Sequence, residues 1–239
     1  MFKKKLENIK IFYDGIDILK YSNNLTKGFT TNPTLMNKGN IQTNNYKDFA
    51  LSVIQQSNNL PISFEVFADT HEEMIKEAKI INSWADNIYV KIPIINSAGI
   101  SNSYVIKELN KLNIKINITA IFTKEQIKIA FESLVNKDTP SIISIFCGRI
   151  SDTGINCKEY ITYAKKLTIK YPNIEILWAS VREVYNIIEA IESNCDIITL
   201  PNSIYDKLDY LDKNLNDFSI ETSLQFYNDG IKSNIKILE

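Results

Sequence analysis

Residues 62–94 read ISFEVFADTHEEMIKEAKIINSWADNIYVKIPI, and this segment decides the architecture. It opens with a short β-branched and aromatic run, ISFEVF, that suits a strand. A polar stretch follows in which Met74, Ala78 and Ile81 recur at three- and four-residue spacing, as one face of an amphipathic helix requires. Thr70 with Glu73 three residues later reads as a capping box at the helix start. IYVKIPI then gives a second, almost uninterrupted apolar run, the pattern of a strand buried on both faces. Strand, helix, strand in this order is a parallel crossover unit.

The same rhythm extends in both directions. Strand candidates precede the segment at 9–16 (IKIFYDGI) and 28–31 (GFTT). Others follow at 116–122 (INITAIF), 141–147 (SIISIFC), 174–180 (IEILWAS) and 196–201 (DIITLP). Helical stretches separate them, such as TKEQIKIAFESLVN, where Thr123 and Gln126 repeat the capping pattern. Eight strands alternating with helices predict a closed (β/α)8 barrel, the TIM-barrel architecture, rather than an open doubly wound sheet. No GxGxxG follows the first strand, which argues against a dinucleotide fold. A single domain over 1–239 is expected, with the tail after Pro201 adding helix against the barrel or a neighbouring subunit.

Composition excludes several classes of function. The chain has 239 residues, 44% of them hydrophobic, and a net charge of −1. No overall field favours nucleic acid or a membrane surface, so an anionic ligand needs local positive groups. The basic N-terminal segment MFKKKLENIK is not followed by an apolar signal region, and no apolar run approaches the roughly 18 residues of a membrane span. Cys147, Cys157 and Cys195 form neither a CxxC pair nor a zinc ribbon, and a reducing cytoplasm is the expected compartment. His71 is the only histidine and sits where a helix begins, so it reads as a solvated helix residue. Histidine triads and multi-histidine metal sites are thereby disfavoured, and no metal is expected. The chemistry falls to lysine, carboxylates and hydroxyls.

Polar residues interrupt the strands near their C-terminal ends. Asp14 ends the first, Glu65 lies in the third, Lys91 in the fourth, and Asn117 and Thr119 in the fifth. Ser144 lies in the sixth with Arg149 just beyond; Ser180 and Arg182 follow the seventh. In a barrel these ends converge on the face where active sites are built. Lys91, between IYV and IP, is the sharpest of them. Burial disfavours the ammonium and can bring a lysine down to about 7–8, where its amine attacks a ketone to form an imine. The structural alternative is an ion pair with Asp14 or Glu65, and both possibilities place the carboxylates beside the lysine. Arg149 and Arg182 form either an anion clamp, with Ser180 and backbone N–H groups at the next helix start, or a pair of surface salt bridges.

The segments GFTTNPTL, YVKIP, INITAIFT, ISIFCGRISD, ASVRE and DIITLP, in that order from about Ile11 to Pro201, resemble the transaldolase family. The likeness is to its short subgroup, which includes fructose-6-phosphate aldolase-like proteins. The resemblance implies that Lys91 forms the Schiff base and that Asp14 accepts the substrate hydroxyl proton as a carbon–carbon bond breaks. Glu65 and Thr119 would hold a proton-relaying water. Asn32 and Ser144 would bind hydroxyls of a dihydroxyacetone unit, and Asn117 would orient Lys91 and substrate. Arg149, Ser180 and Arg182 would hold the phosphate. No cofactor is implied.

Two positions bear on the branch of the family. Glu65 and Phe146 match the transaldolase pattern, where aldolase-type members carry Gln and Tyr. A phenylalanine cannot deliver a proton to the enamine, which favours transfer over release of free dihydroxyacetone. The implied substrates are ketose and aldose phosphates such as fructose 6-phosphate and sedoheptulose 7-phosphate, in pentose phosphate metabolism or a specialised sugar pathway. Rings of five or ten subunits, formed through the C-terminal helix, are implied as well. The alternatives are an aldolase-type lyase and a barrel that binds phosphosugars without turning them over. Ile145, Cys147, Gly15 and the loop IINSAGI (94–100) depart from the family pattern without removing a catalytic atom.

Overall fold

A computed structural model of the chain describes residues 3–39 and 46–233. Eight strands run in it: β1 (Lys10–Asp14), β2 (Thr26–Thr30), β3 (Ile62–Glu65), β4 (Ile88–Pro93), β5 (Ile116–Ile121), β6 (Ser141–Ile145), β7 (Ile174–Trp178) and β8 (Ile197–Pro201). They pair in parallel in chain order, and β1 closes the sheet against β8. The expected (β/α)8 barrel is therefore present. Eleven helices accompany the strands among the described residues: α1 (Ile18–Tyr21), α2 (Pro33–Lys38), α3 (Tyr46–Gln56), α4 (His71–Asn82), α5 (Ser103–Lys111), α6 (Lys124–Ser133), α7 (Cys147–Ser151), α8 (Lys158–Thr168), α9 (Tyr185–Glu192), α10 (Asn202–Tyr205) and α11 (Leu215–Ser233).

Period-two alternation sorts each strand between two environments. Outward residues such as Phe64, Val90, Ile92, Ile118, Ile143 and Trp178 pack under the helices in one large core. Inward residues form two tiers. Phe12, Tyr89, Ile142, Leu177, Ala179 and Ile197 make an apolar plug inside the barrel. Gly28 leaves room for it, since a Cβ there would lie 2.5 Å from the Phe12 ring. The buried polar residues Thr30, Ser63, Lys91, Asn117, Ser144 and Thr199 come from the same strands. Tyr89 and Lys91 lie two residues apart, as do Ile142 and Ser144, and Ile197 and Thr199, so the polar tier sits on the plug at the C-terminal mouth.

The helix starts follow their caps. Thr123 and Gln126 form the full reciprocal box on α6. On α4 the Thr70 hydroxyl accepts the Glu73 N–H at 3.4 Å, but Glu73 accepts from that hydroxyl at 2.8 Å rather than from the Thr70 backbone, so the box is one-sided. His71 heads α4 and is not simply solvated: its Nε2 lies 3.1 Å from the Ser101 carbonyl oxygen. Cys147 and Cys157 are bonded to each other, tying α7 to the start of α8. The ten-residue spacing gave no sign of this, because the turn of α7 creates the contact. Cys195 is buried, and desolvation with Asp196 nearby pushes its thiol up to about 12. The expected tail helix is α11, but no residue of it is buried; residues 234–239 of the tail lie outside the described part. No helix among the described residues is long and apolar enough to cross a membrane.

Candidate active site

Register builds the site. Glu65 on β3 pairs with Lys91 on β4, and Lys91 pairs with Asn117 on β5, so three inward polar residues stand side by side in one row. Lys91 Nζ lies 3.2 Å from Glu65 Oε2 and donates to the Thr31 carbonyl at 3.0 Å. The ion pair that the sequence left open as an alternative therefore exists, with Glu65 as the partner. It does not lie in a sealed core. It borders a pocket of about 490 Å³ lined by Asp14, Asn32, Glu65, Lys91, Asn117, Thr119, Ser144, Phe146, Arg149, Ser180 and Arg182 among others. All eleven residues singled out from the sequence thus line one pocket. Its size suits a small polar ligand.

Asp14, at the end of β1, accepts a hydrogen bond from the Thr30 hydroxyl at 2.7 Å. Burial raises its carboxyl above the ordinary range, while Lys91 and the Thr30 bond pull it down and Glu65 adds to the rise. Burial is the largest of these effects, so Asp14 favours its neutral form more than a solvated aspartate does, as suits an acid–base group. Thr30 in turn touches Thr199 at 2.6 Å. Asn117 is clamped between Ser63 and Ser144: its Nδ2 donates to Ser63 Oγ at 2.9 Å, and its Oδ1 accepts from Ser144 Oγ at 2.6 Å. Thr119 Oγ1 is buried with no hydrogen-bond partner. A buried hydroxyl of this kind is costly unless a water or ligand completes it. Asn32 caps α2, its Oδ1 accepting the Leu35 N–H at 2.9 Å, which leaves its amide N–H groups for a ligand.

The rim carries the arginines. Arg149 lies on α7 with its guanidinium 5.4 Å from the centre of the Phe146 ring, and that ring also meets Phe122. Arg182 grips Asp152 through two nitrogens, Nε at 3.0 Å and Nη2 at 2.7 Å. That contact holds the Asp152 carboxyl below its usual range. The salt-bridge alternative is thus realised for Arg182, whereas the contact described for Arg149 is with the Phe146 ring. Just ahead of α9, the backbone N–H groups of Arg182 and Glu183 donate to Asn186 Oδ1 at 3.0 and 3.2 Å. Asn186 needs those donors because its side chain is buried where the loop turns into α9.

Sequence reasoning missed Thr30, the Thr31 carbonyl, Ser63, Asp152 and Asn186. For Ser63 a signal existed: it stands two residues before Glu65, on the same face of the strand. The others are set by tertiary contact. A larger cavity, about 1220 Å³, opens at the opposite end of the barrel. Its Lys10–Glu175 and Lys165–Asp196 pairs neutralise one another, and barrels build their chemistry at the other end. Among the described residues no group of three or more His, Cys, Asp or Glu could hold a metal ion.

Comparison with known proteins bears on this arrangement. Residues 11–233 match the family described as Transaldolase/Fructose-6-phosphate aldolase. A probable transaldolase of Nitrosopumilus maritimus is 32% identical over 206 residues, covering 84% of this chain and 87% of that protein. A probable transaldolase of Brucella anthropi is 32% identical over 198 residues, covering 81% and 85%. "Probable transaldolase 2" of Listeria monocytogenes is 32% identical over 185 residues, covering 77% and 79%.

Proposed function

We propose, from the premise that this chain belongs to the transaldolase/fructose-6-phosphate aldolase family, that it transfers a dihydroxyacetone unit between a ketose phosphate and an aldose phosphate through a Schiff base on Lys91. The observation that carries the reading is the enclosed Lys91, 3.2 Å from Glu65 and opening onto a pocket that also holds Asp14. The Lys91 amine, its proton passed to a neighbouring carboxylate, attacks the ketose carbonyl. The carbinolamine loses water through Glu65, Thr119 and a water completing the Thr119 hydroxyl. Asp14 accepts the proton of the substrate C4 hydroxyl, the C3–C4 bond breaks, and its electrons enter the cationic imine to give an enamine. An aldose phosphate leaves. The enamine carbon then attacks a second aldehyde, Asp14 returns the proton, and hydrolysis frees ketose and lysine. The iminium is itself the electron sink, so the cycle asks for no further cofactor.

Phe146 supports transfer rather than lysis, because its ring offers the enamine no proton. Arg149, Arg182 and Ser180 would take the phosphate, with Arg182 sharing its fork with Asp152. We place the enzyme in the cytoplasm, where the Cys147–Cys157 pair would stand reduced, acting on pentose phosphate sugars. We also propose a homo-oligomer of five or ten subunits through α11, on which Ile220, Leu224, Tyr227 and Ile231 lie exposed on one face. Borohydride reduction with fructose 6-phosphate should leave a covalent, ketose-derived adduct on Lys91. Free dihydroxyacetone released without an acceptor aldehyde would favour the lyase instead, and binding without adduct or turnover would end the catalytic reading.

A further inference from the structure

We infer that Ser63 is a positioning residue that holds the Asn117 carboxamide, and through it Ser144, beside Lys91 in the row of residues where the imine would form; this rests on the Schiff-base reading above. Ser63 is buried and does not line the pocket, and its hydroxyl accepts a hydrogen bond from Asn117, which does. The terminal torsion of an asparagine is broad and two-fold, so its plane is set by its partners rather than by its own rotamer. Asn117 has a side-chain partner at each end of its carboxamide: Ser63 Oγ at 2.9 Å and Ser144 Oγ at 2.6 Å. Only Ser144 also faces the pocket, so Ser63 is the fixed end of the clamp. The same residue supports the nucleophile by a second route. Its carbonyl oxygen accepts both the Thr31 hydroxyl at 2.8 Å and the Thr31 N–H at 3.2 Å. Thr31 then presents its own carbonyl to Lys91 Nζ at 3.0 Å. With one direction of the tetrahedral nitrogen bonded to Cε and two committed to Thr31 and Glu65, a single one remains for a ketose carbonyl.

Loss of the Ser63 hydroxyl frees the Asn117 plane while leaving the arginine rim untouched. In single-turnover borohydride trapping with fructose 6-phosphate, Ser63→Ala should slow adduct formation on Lys91 about 10–100-fold, the effect of a small misplacement at a reacting centre. The inhibition constant of inorganic phosphate should stay within about twofold, because Ser63 and the arginines share no partner. In an Asn117→Ala background the same Ser63→Ala change should alter trapping by less than about twofold. Should Ser63→Ala fail to give a folded protein by circular dichroism, Ser63→Cys fills the same volume with a weaker acceptor and carries the same test. Trapping by Ser63→Ala as fast as wild type, or an equal slowing in both backgrounds, overturns the inference alone. Absence of any adduct on the wild type overturns the Schiff-base reading itself.

Discussion

Replacing Lys91 with methionine separates a charged resting pair from a neutral one. Two unit charges 3.2 Å apart attract by ~5 kcal/mol at an effective dielectric of about 20. The methionine variant is spared the desolvation of the ammonium, but it leaves the half-buried Glu65, its side chain 17% exposed, without its cation. Stripping one partner from a buried pair costs about 3–5 kcal/mol. For a chain of this length that is a fall in Tm of about 6–20 °C at neutral pH. Replacing both partners, Lys91→Met with Glu65→Leu, should recover most of the loss, because an apolar pair of similar volume needs no compensation. Neither variant should form an adduct with a ketose phosphate. The assay is thermal unfolding followed by circular dichroism at several pH values. A Lys91→Met protein that melts within about 1 °C of wild type at pH 7 would refute the reasoning, since no charge would then have been left uncompensated.

Three further outcomes are expected. Burial raises the Asp14 carboxyl, so the folded state binds its proton more tightly than the unfolded state and ionised Asp14 costs stability as pH rises above the unfolded value. Asp14→Asn should therefore be more stable than wild type at neutral pH, by a margin that grows as pH rises from the unfolded to the folded pKa of Asp14 and is level above it, while carbon–carbon cleavage is lost; melting curves across the pH range, with a margin shrinking toward neutrality, would contradict this. Gly148→Ala should raise KM for phosphorylated sugars about tenfold or more, because its Cβ would fall 1.6 Å from the Ser180 carbonyl oxygen and force α7 off the β7 loop; steady-state kinetics that match wild type would refute that contact. Reducing the Cys147–Cys157 bond, which spans a sequence separation of 10, should cost about 3 kcal/mol of stability, read as a lower urea midpoint with a thiol reductant present, and a midpoint that does not move would contradict it.

The sequence was informative where chemistry follows from local pattern. The β-branched runs and the capped helices at Thr70 and Thr123 carried the alternation from which the barrel follows. The polar residues at strand ends converged because parallel strands of similar length must bring those ends together. What escaped depends on contacts between distant segments. β2 begins at Thr26 rather than Gly28, since Thr26 looks like a loop residue until its hydroxyl meets Tyr205 at 2.6 Å. Which carboxylate would take Lys91 was open between Asp14 and Glu65; the register of β3 on β4 decides it, and no periodicity encodes register. The same holds for Asp152 on Arg182, thirty residues away, and for Cys157 on Cys147. The Asn186 carboxamide takes the Arg182 and Glu183 N–H groups, a contact that only the turn into α9 reveals.

Backbone strain in the described residues separates turn chemistry from site chemistry. Asn58, Asn59, Asn113, Asn194 and Asp212 take positive φ, and Asn and Asp tolerate that region. Ala120 at φ 56° and Ser180 at φ 63° are the other non-glycine cases, and both line the pocket. An L-residue there costs about 1–2 kcal/mol. At Ala120 the cost has a visible effect. The pairing of β5 with β6 shifts register between Ile118 and Ile121. Without that extra residue, strict alternation from Asn117 and Thr119 would turn Ile121 into the pocket. With it, Ile121 joins the core beneath the helices. At Ser180 the left-handed turn sets its carbonyl against Gly148, where only a residue without Cβ fits, and so locks the β7 loop to the helix carrying Arg149. A barrel selected for stability alone would have no use for either turn. Their placement at the two sides of one pocket, beside a carboxyl that also costs stability when ionised, ties that cost to the ligand site rather than to the scaffold.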